Sequence, residues 1–149
     1  MYDIIMKWVY VLFFLVMISG FWSVVASPAD ELAAQGNMLY DQDQYDEALI
    51  ILDQALAIDP EHLEALNGKG KVLKSLGRYE EAIQQYDKII AVDPTHKKAW
   101  NNKGIALTYL GRYEEAIAMF DESLRLDPEY GKAYSNRAWC LNLAGRFEE

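Results

Sequence analysis

Apolar residues recur along most of this chain at spacings of three and four, the pattern of one buried helical face. Between Leu63 and Leu76 the stripe is Leu66, Gly70, Leu73 and Leu76. Gly77-Arg78 then interrupts it, as glycine does just past a helix end. A second stripe runs from about Tyr79 to Val92 and consists of Ala82, Ile83, Tyr86, Ile89 and Ile90. Pro94 stops that helix, because a residue before proline avoids the helical region. The pattern predicts two amphipathic helices joined by a tight turn.

The unit returns every 34 residues. Leu76-Gly77-Arg78-Tyr79-Glu80-Glu81-Ala82 recurs unchanged as Leu110-Gly111-Arg112-Tyr113-Glu114-Glu115-Ala116, and Ala144-Gly145-Arg146-Phe147-Glu148-Glu149 begins a further copy. Asp59-Pro60, Asp93-Pro94 and Asp127-Pro128 keep the same beat. Gly36, Gly70, Gly104 and Ala138 share a small slot on the first helix, and Ala48, Ala82 and Ala116 share one on the second. Leu52, Tyr86 and Phe120 share a large slot, as do Leu32, Leu66, Trp100 and Tyr134. Large residues facing small ones predict helices in close contact, with these aromatics in the core. A fixed period in this range marks a solenoid of stacked units.

With these slots filled in every copy, the chain resembles the tetratricopeptide repeat over roughly Ala29 to Glu149. The resemblance implies an all-α fold, a right-handed α-solenoid of antiparallel helix pairs. Complete repeats fall at 29–62, 63–96 and 97–130, with a partial repeat at 131–149, in a domain spanning 27–149. Two departures stand out. Gln35, Lys69, Lys103 and Arg137 occupy a slot where leucine is usual, and their long stems can still cover apolar surface. Asp43 stands where the later turns carry glycine, so the first turn is expected to differ.

Residues 8–26 carry no charge and do not belong to such a stack. Two readings stay open for a 1–26 leader. It is a cleaved signal peptide, with Lys7 as its basic end and Val24-Val25-Ala26 as the cleavage site. Alternatively it is an uncleaved transmembrane anchor, with Trp8 and Trp22 at the interfaces. A start at Met6 gives a more conventional signal. Both readings place the repeats outside the cytoplasm, secreted or membrane-anchored, with membrane contact through this segment if it is retained. Ser27, Pro28 and Asp30 suit the cap, first position and first turn of the first repeat helix.

Composition narrows the function. The formal charge is −9, which excludes phosphate-backbone binding to nucleic acid. A single cysteine, Cys140, rules out an internal disulfide and a cysteine-based metal site, and is expected to be a small buried hydrophobe. His62 and His96 are copies of one turn slot, with only Glu61 and Asp93 as further weak ligand candidates. No catalytic, cofactor or metal constellation stands out, so no enzyme activity is expected of these residues.

The resemblance further implies that first helices line a concave groove. Its candidate peptide-binding residues are Asn37 from the first repeat; Asn67, Lys71 and Lys74 from the second; Lys98, Asn101 and Asn102 from the third; and Lys132, Asn136 and Trp139 from the fourth. Four lysines stand there against Asp30 and Glu64, while the rest of the chain is strongly acidic, so the expected partner is a protein or peptide segment of acidic character. The asparagines offer donors and acceptors to a peptide backbone, and Trp139 offers an apolar anchor. Some members of the family clamp a C-terminal carboxylate with Lys, Asn, Asn, Lys and Arg. The matching slots here hold Asn67, Lys71, Asn102, Lys132 and Asn136. Asn102 and Lys132 agree, and Asn136 lacks the bidentate fork of arginine. The expected function is a non-catalytic interaction scaffold. Two alternatives are a non-catalytic part of a longer protein with an enzyme domain downstream, and an envelope component that self-associates through an uncapped C-terminal end. Both follow from a fourth repeat that stops at the start of its second helix.

Overall fold

A computed structural model describes residues 26–145. The leader and the residues from Arg146 onward, on which the signal, anchor and unfinished-repeat expectations rest, lie outside the described residues. Seven helices follow one another: α1 (Pro28–Asp41), α2 (Tyr45–Ile58), α3 (Leu63–Ser75), α4 (Tyr79–Val92), α5 (Lys97–Tyr109), α6 (Tyr113–Leu126) and α7 (Gly131–Leu143). Among the described residues there is no strand, and no helix is long and apolar enough to cross a membrane.

Local chemistry sets the helix ends. Ser27 and Asp30 form a reciprocal capping box: the Ser27 hydroxyl accepts from the Asp30 N–H, and the Asp30 carboxylate accepts from the Ser27 N–H. His62 and His96 cap α3 and α5, each Nδ1 accepting an N–H, from Ala65 and Ala99, at 3.2 Å. This is what the paired histidines do. At the Asp-Pro turns, the aspartate Oδ1 accepts the N–H two residues on, in Asp59, Asp93 and Asp127 alike. This local bond holds the turn while the proline ends the helix.

The first turn does not differ from the others. Asp43 takes φ 60°, beside 74°, 73° and 76° at Gly77, Gly111 and Gly145. The closing bond is shared as well: Gln44 N–H reaches Leu39 O at 3.0 Å, as Arg78 N–H reaches Leu73 O at 2.8 Å. Asp43 is drawn into the left-handed region by the turn geometry. Its carboxylate then accepts the Tyr45 hydroxyl at 2.7 Å.

The helix pairs close through the slots of contrasting size. A Cβ added at Gly36 would sit 2.5 Å from Leu52, one at Gly70 2.5 Å from the Tyr86 ring, and one at Gly104 2.6 Å from the Phe120 ring. Leu52, Tyr86 and Phe120 are fully buried, as are Ala48, Ala82 and Ala116. The Tyr86 hydroxyl is buried with no hydrogen-bond partner, and burial raises its pKa far above the ordinary tyrosine value. Each core cluster joins one helix pair to the next first helix, as in Leu66, Leu73, Tyr86, Ile89 and Ala99. The stack is therefore held by nearest-neighbour contacts.

The polar slot explains its own departure from leucine. Lys69, Lys103 and Arg137 pair with Asp53, Asp87 and Asp121, each sixteen residues earlier on the preceding second helix. An ion-pair ladder with the repeat's period thus ties each unit to the next. The aromatic slot is less uniform than expected. Leu66 is buried, and Trp100 is half-buried with its indole N–H donating to the Pro94 carbonyl. Tyr134 is 53% exposed, because among the described residues no second helix packs behind α7. Cys140 is buried as a small hydrophobe.

Two substitutions test this packing. Gly70→Ala should lower stability by about 1–3 kcal/mol through overpacking against Tyr86, read as a fall in the urea midpoint. Asp43→Gly should raise it by about 1 kcal/mol by relieving the left-handed strain. A midpoint that falls would show that the Tyr45 bond outweighs that strain.

Candidate functional site

The first helices α1, α3, α5 and α7 touch in succession, whereas the second helices α2, α4 and α6 do not touch one another. Helices that crowd on one side and splay on the other curve the stack, with the first helices inside. On that inner face, repeats two to four enclose an open cavity of about 630 Å³. Asn67, Lys71, Lys74, Lys98, Asn101, Asn102, Lys132 and Asn136 line it, together with Ile105, Ser135, Tyr130 and Gly131. Eight of the ten candidate residues therefore meet in one place.

Asn37 and Trp139 stand apart from it. Asn37 is drawn to repeat two, where its amide donates to Glu64 at 3.2 Å. Trp139 packs against Tyr109 with ring centroids 5.3 Å apart, and Tyr109 stacks flat on Tyr79 at 4.9 Å. This aromatic row is legible in the sequence only once the superhelix brings three elements together. Tyr130 is a lining residue the sequence reading missed. It shares the slot of His62 and His96, and that slot was the available signal.

The asparagines form a ladder across repeats. Asn102 Nδ2 donates to Asn67 Oδ1 at 3.2 Å, and Asn136 Nδ2 donates to Asn101 Oδ1 at 2.9 Å. Each bond joins neighbouring first helices and fixes which amide groups remain for a ligand. Asn67 and Asn101 spend an acceptor, and Asn102 and Asn136 spend a donor.

The charges separate sharply. Among the described residues no carboxylate lines the cavity. Burial, and then the neighbouring Lys71, pull the Lys74 ammonium below the ordinary lysine value. Lys71 leans over the Tyr40 ring, 4.2 Å from its centroid. At the other end, Asp30 accepts from His62 Nε2 at 2.8 Å. Because His62 Nδ1 already accepts the Ala65 N–H, the ring proton lies on Nε2. On the edge, Lys97 pairs with Asp127.

A stack of helix pairs with ladders between units and a cationic, amide-lined inner face is an α-solenoid repeat protein. Sequence profiles of the tetratricopeptide repeat match residues 39–103 and 98–130, together more than half of the chain. The chain belongs to the tetratricopeptide repeat family. No curated protein sequence matches it significantly. Among solved structures it is similar to the first such domain of Spaghetti (RPAP3), bound to the HSP90 peptide SRMEEVD. The TM-score is 0.76 at 22% identity, covering 80% of this chain and 95% of that one. It is also similar to the Sgt2 domain from Aspergillus fumigatus, with TM-score 0.75, 22% identity and coverage of 85% and 88%. MamA from Desulfovibrio magneticus RS-1 gives 0.74 at 23% identity, with coverage of 80% and 68%. At these identities the likeness is one of fold.

The carboxylates that hold the turns set a pH dependence. Asp30 lies below its ordinary pKa through the His62 bond first and then the Ser27 N–H. Asp93 is lowered by the Thr95 hydroxyl and then its N–H, and Asp127 by Lys97 and then the Glu129 N–H. A pKa lower in the folded chain than in the unfolded one means that folding is favoured by deprotonation. The contribution is complete above the unfolded value of about 4 and is lost as pH falls through the folded values. The thermal midpoint should therefore drop on acidification below about pH 4. Asp127→Asn, which keeps the turn acceptor but loses the charge facing Lys97, should flatten part of that drop in a calorimetric pH series.

Proposed function

We propose that this chain is a non-catalytic interaction scaffold whose concave face binds a segment of a partner protein, and that the segment is acidic. One observation carries the reading. Among the described residues, all four lysines of the cavity lack an ion pair, while most other cations are paired with carboxylates. An unpaired cationic concavity inside an acidic body focuses field onto an anionic ligand. The ladder asparagines add orientation, since their free N–H and C=O groups match the needs of an extended backbone. The peptide bound by the Spaghetti domain, SRMEEVD, is itself rich in carboxylates, which supports the same sign of ligand here. The uncharged run at 8–26 supports a site of action at or beyond a membrane.

Titration of the full chain, in mild detergent, with acidic and basic peptide pools tests the reading by fluorescence anisotropy. The acidic pool should bind more tightly, with affinity falling as salt rises. Tighter binding of the basic pool overturns it.

A further inference from the structure

Lys74 is the one amine in a slot that otherwise holds uncharged side chains. Its counterparts are Tyr40, Thr108 and Asn142, in repeats one, three and four. Thr108 is 2% exposed and turns its hydroxyl back to the Gly104 carbonyl at 2.9 Å. The slot therefore faces packed structure, and Lys74 is half-buried in it. Lys74 nonetheless lines the open cavity, so a small molecule there can reach its side chain.

Nothing among the described residues neutralises this amine. Lys74 makes no ion pair, and no carboxylate lines its cavity. Lys71 stands three residues earlier on α3, where side chains are neighbours on one helical face. The Tyr40 ring of α1 holds the Lys71 ammonium 4.2 Å from its centroid, an arrangement that the ring quadrupole favours. A second positive charge is thus anchored beside Lys74. Lys98 of α5 and Lys132 of α7 are further ammonium groups on the same cavity. Burial first, and then Lys71, disfavour the charged form of Lys74. The last turn of α3 pulls the other way, since a helix C-terminus favours a cation.

We propose that Lys74 is a covalent modification site, whose amine takes an acyl group from a small acyl thioester. A lysine attacks only as the neutral amine, and desolvation beside another cation is a way to activate one. The Nζ lone pair adds to the thioester carbonyl carbon, and the C–N bond forms. The C–S bond then breaks, and the thiolate leaves with its electron pair. The proton shed by the attacking nitrogen passes through water to the thiolate, which leaves an amide and a thiol. The product suits the place better than the reactant. An amide carries no charge, so its burial costs less and the like-charge contact with Lys71 vanishes. Acylation also removes one of the cavity's four ammonium groups. This chemistry belongs to one amine and does not rest on the peptide-binding reading.

The test treats the full chain, in mild detergent, with S-phenyl thioacetate over a series from about pH 7 to 10 that brackets partial deprotonation of lysine. This thioester is neutral, so the charge of the cavity cannot concentrate it. Peptide mass spectrometry reads the acetylation rate at each lysine. The internal reference is Lys88 on α4, which is exposed and has no ion pair among the described residues. At pH 8 Lys74 should react at least about threefold faster than Lys88, with its pH–rate profile displaced to lower pH. Lys71→Gln should cut that ratio about twofold and move the profile upward, whereas Lys71→Arg keeps both, because the neighbouring charge is what acts. In urea above the unfolding midpoint the two lysines should react alike, since the difference belongs to the fold. A Lys74 that reacts no faster than Lys88 in the folded chain overturns the proposal. So does a profile that Lys71→Gln leaves in place, or a difference that persists in urea.

Discussion

Each helix pair in this chain closes because a glycine on the first helix leaves room for the side chain that the second inserts. At Gly36, Gly70 and Gly104 even a methyl group would press on Leu52, Tyr86 or Phe120 at 2.5–2.6 Å. That close approach fixes the distance and angle between the two helices of a unit. The following first helix then packs into the notch formed by the pair, as Ala99 does beside Tyr86 and Ile89. Repeating one notch at a constant period turns a local packing rule into a curved stack. The groove inherits its shape from this rule, since first helices meet on the inside and second helices stay apart.

Polar contacts divide the labour between the two faces. On the outside, Lys69, Lys103 and Arg137 reach back to aspartates of the preceding unit. Exposed pairs of this kind contribute little each, but they recur in register and help to set the rotation between units. On the inside, asparagine bonds do the same service between first helices. There, however, the cavity lysines make no ion pair among the described residues. The acidic segment proposed as partner would meet on the inner face the lysines that make no ion pair within the described residues.

Tyr86 shows the cost of the packing scheme. Its ring fills the space above Gly70, yet its hydroxyl is buried without a partner. Phe120 fills the equivalent space one repeat later with no polar atom to satisfy. The same slot thus tolerates either ring because shape, rather than hydrogen bonding, holds the pair together.

The sequence by itself determined the helices, their period and the contrast of large and small slots. These follow from local spacing, and spacing survives without coordinates. The family resemblance, rather than spacing, placed Lys71, Lys98, Asn102 and their neighbours on one inner face. Several matters needed the tertiary structure. Asp43 adopts the left-handed turn of the glycines because the helices on either side dictate that conformation, and a one-residue comparison hides this. The histidine caps are local, each accepting the N–H three residues on, whereas the lysines of the leucine slot became inter-repeat pairs only when residues sixteen apart were brought within bonding distance. Asn37 and Trp139 left the cavity for Glu64 and Tyr109. Spacing gives the face on which a side chain stands. Which neighbour it reaches depends on the rotation between units, and that rotation is a property of the packed stack alone.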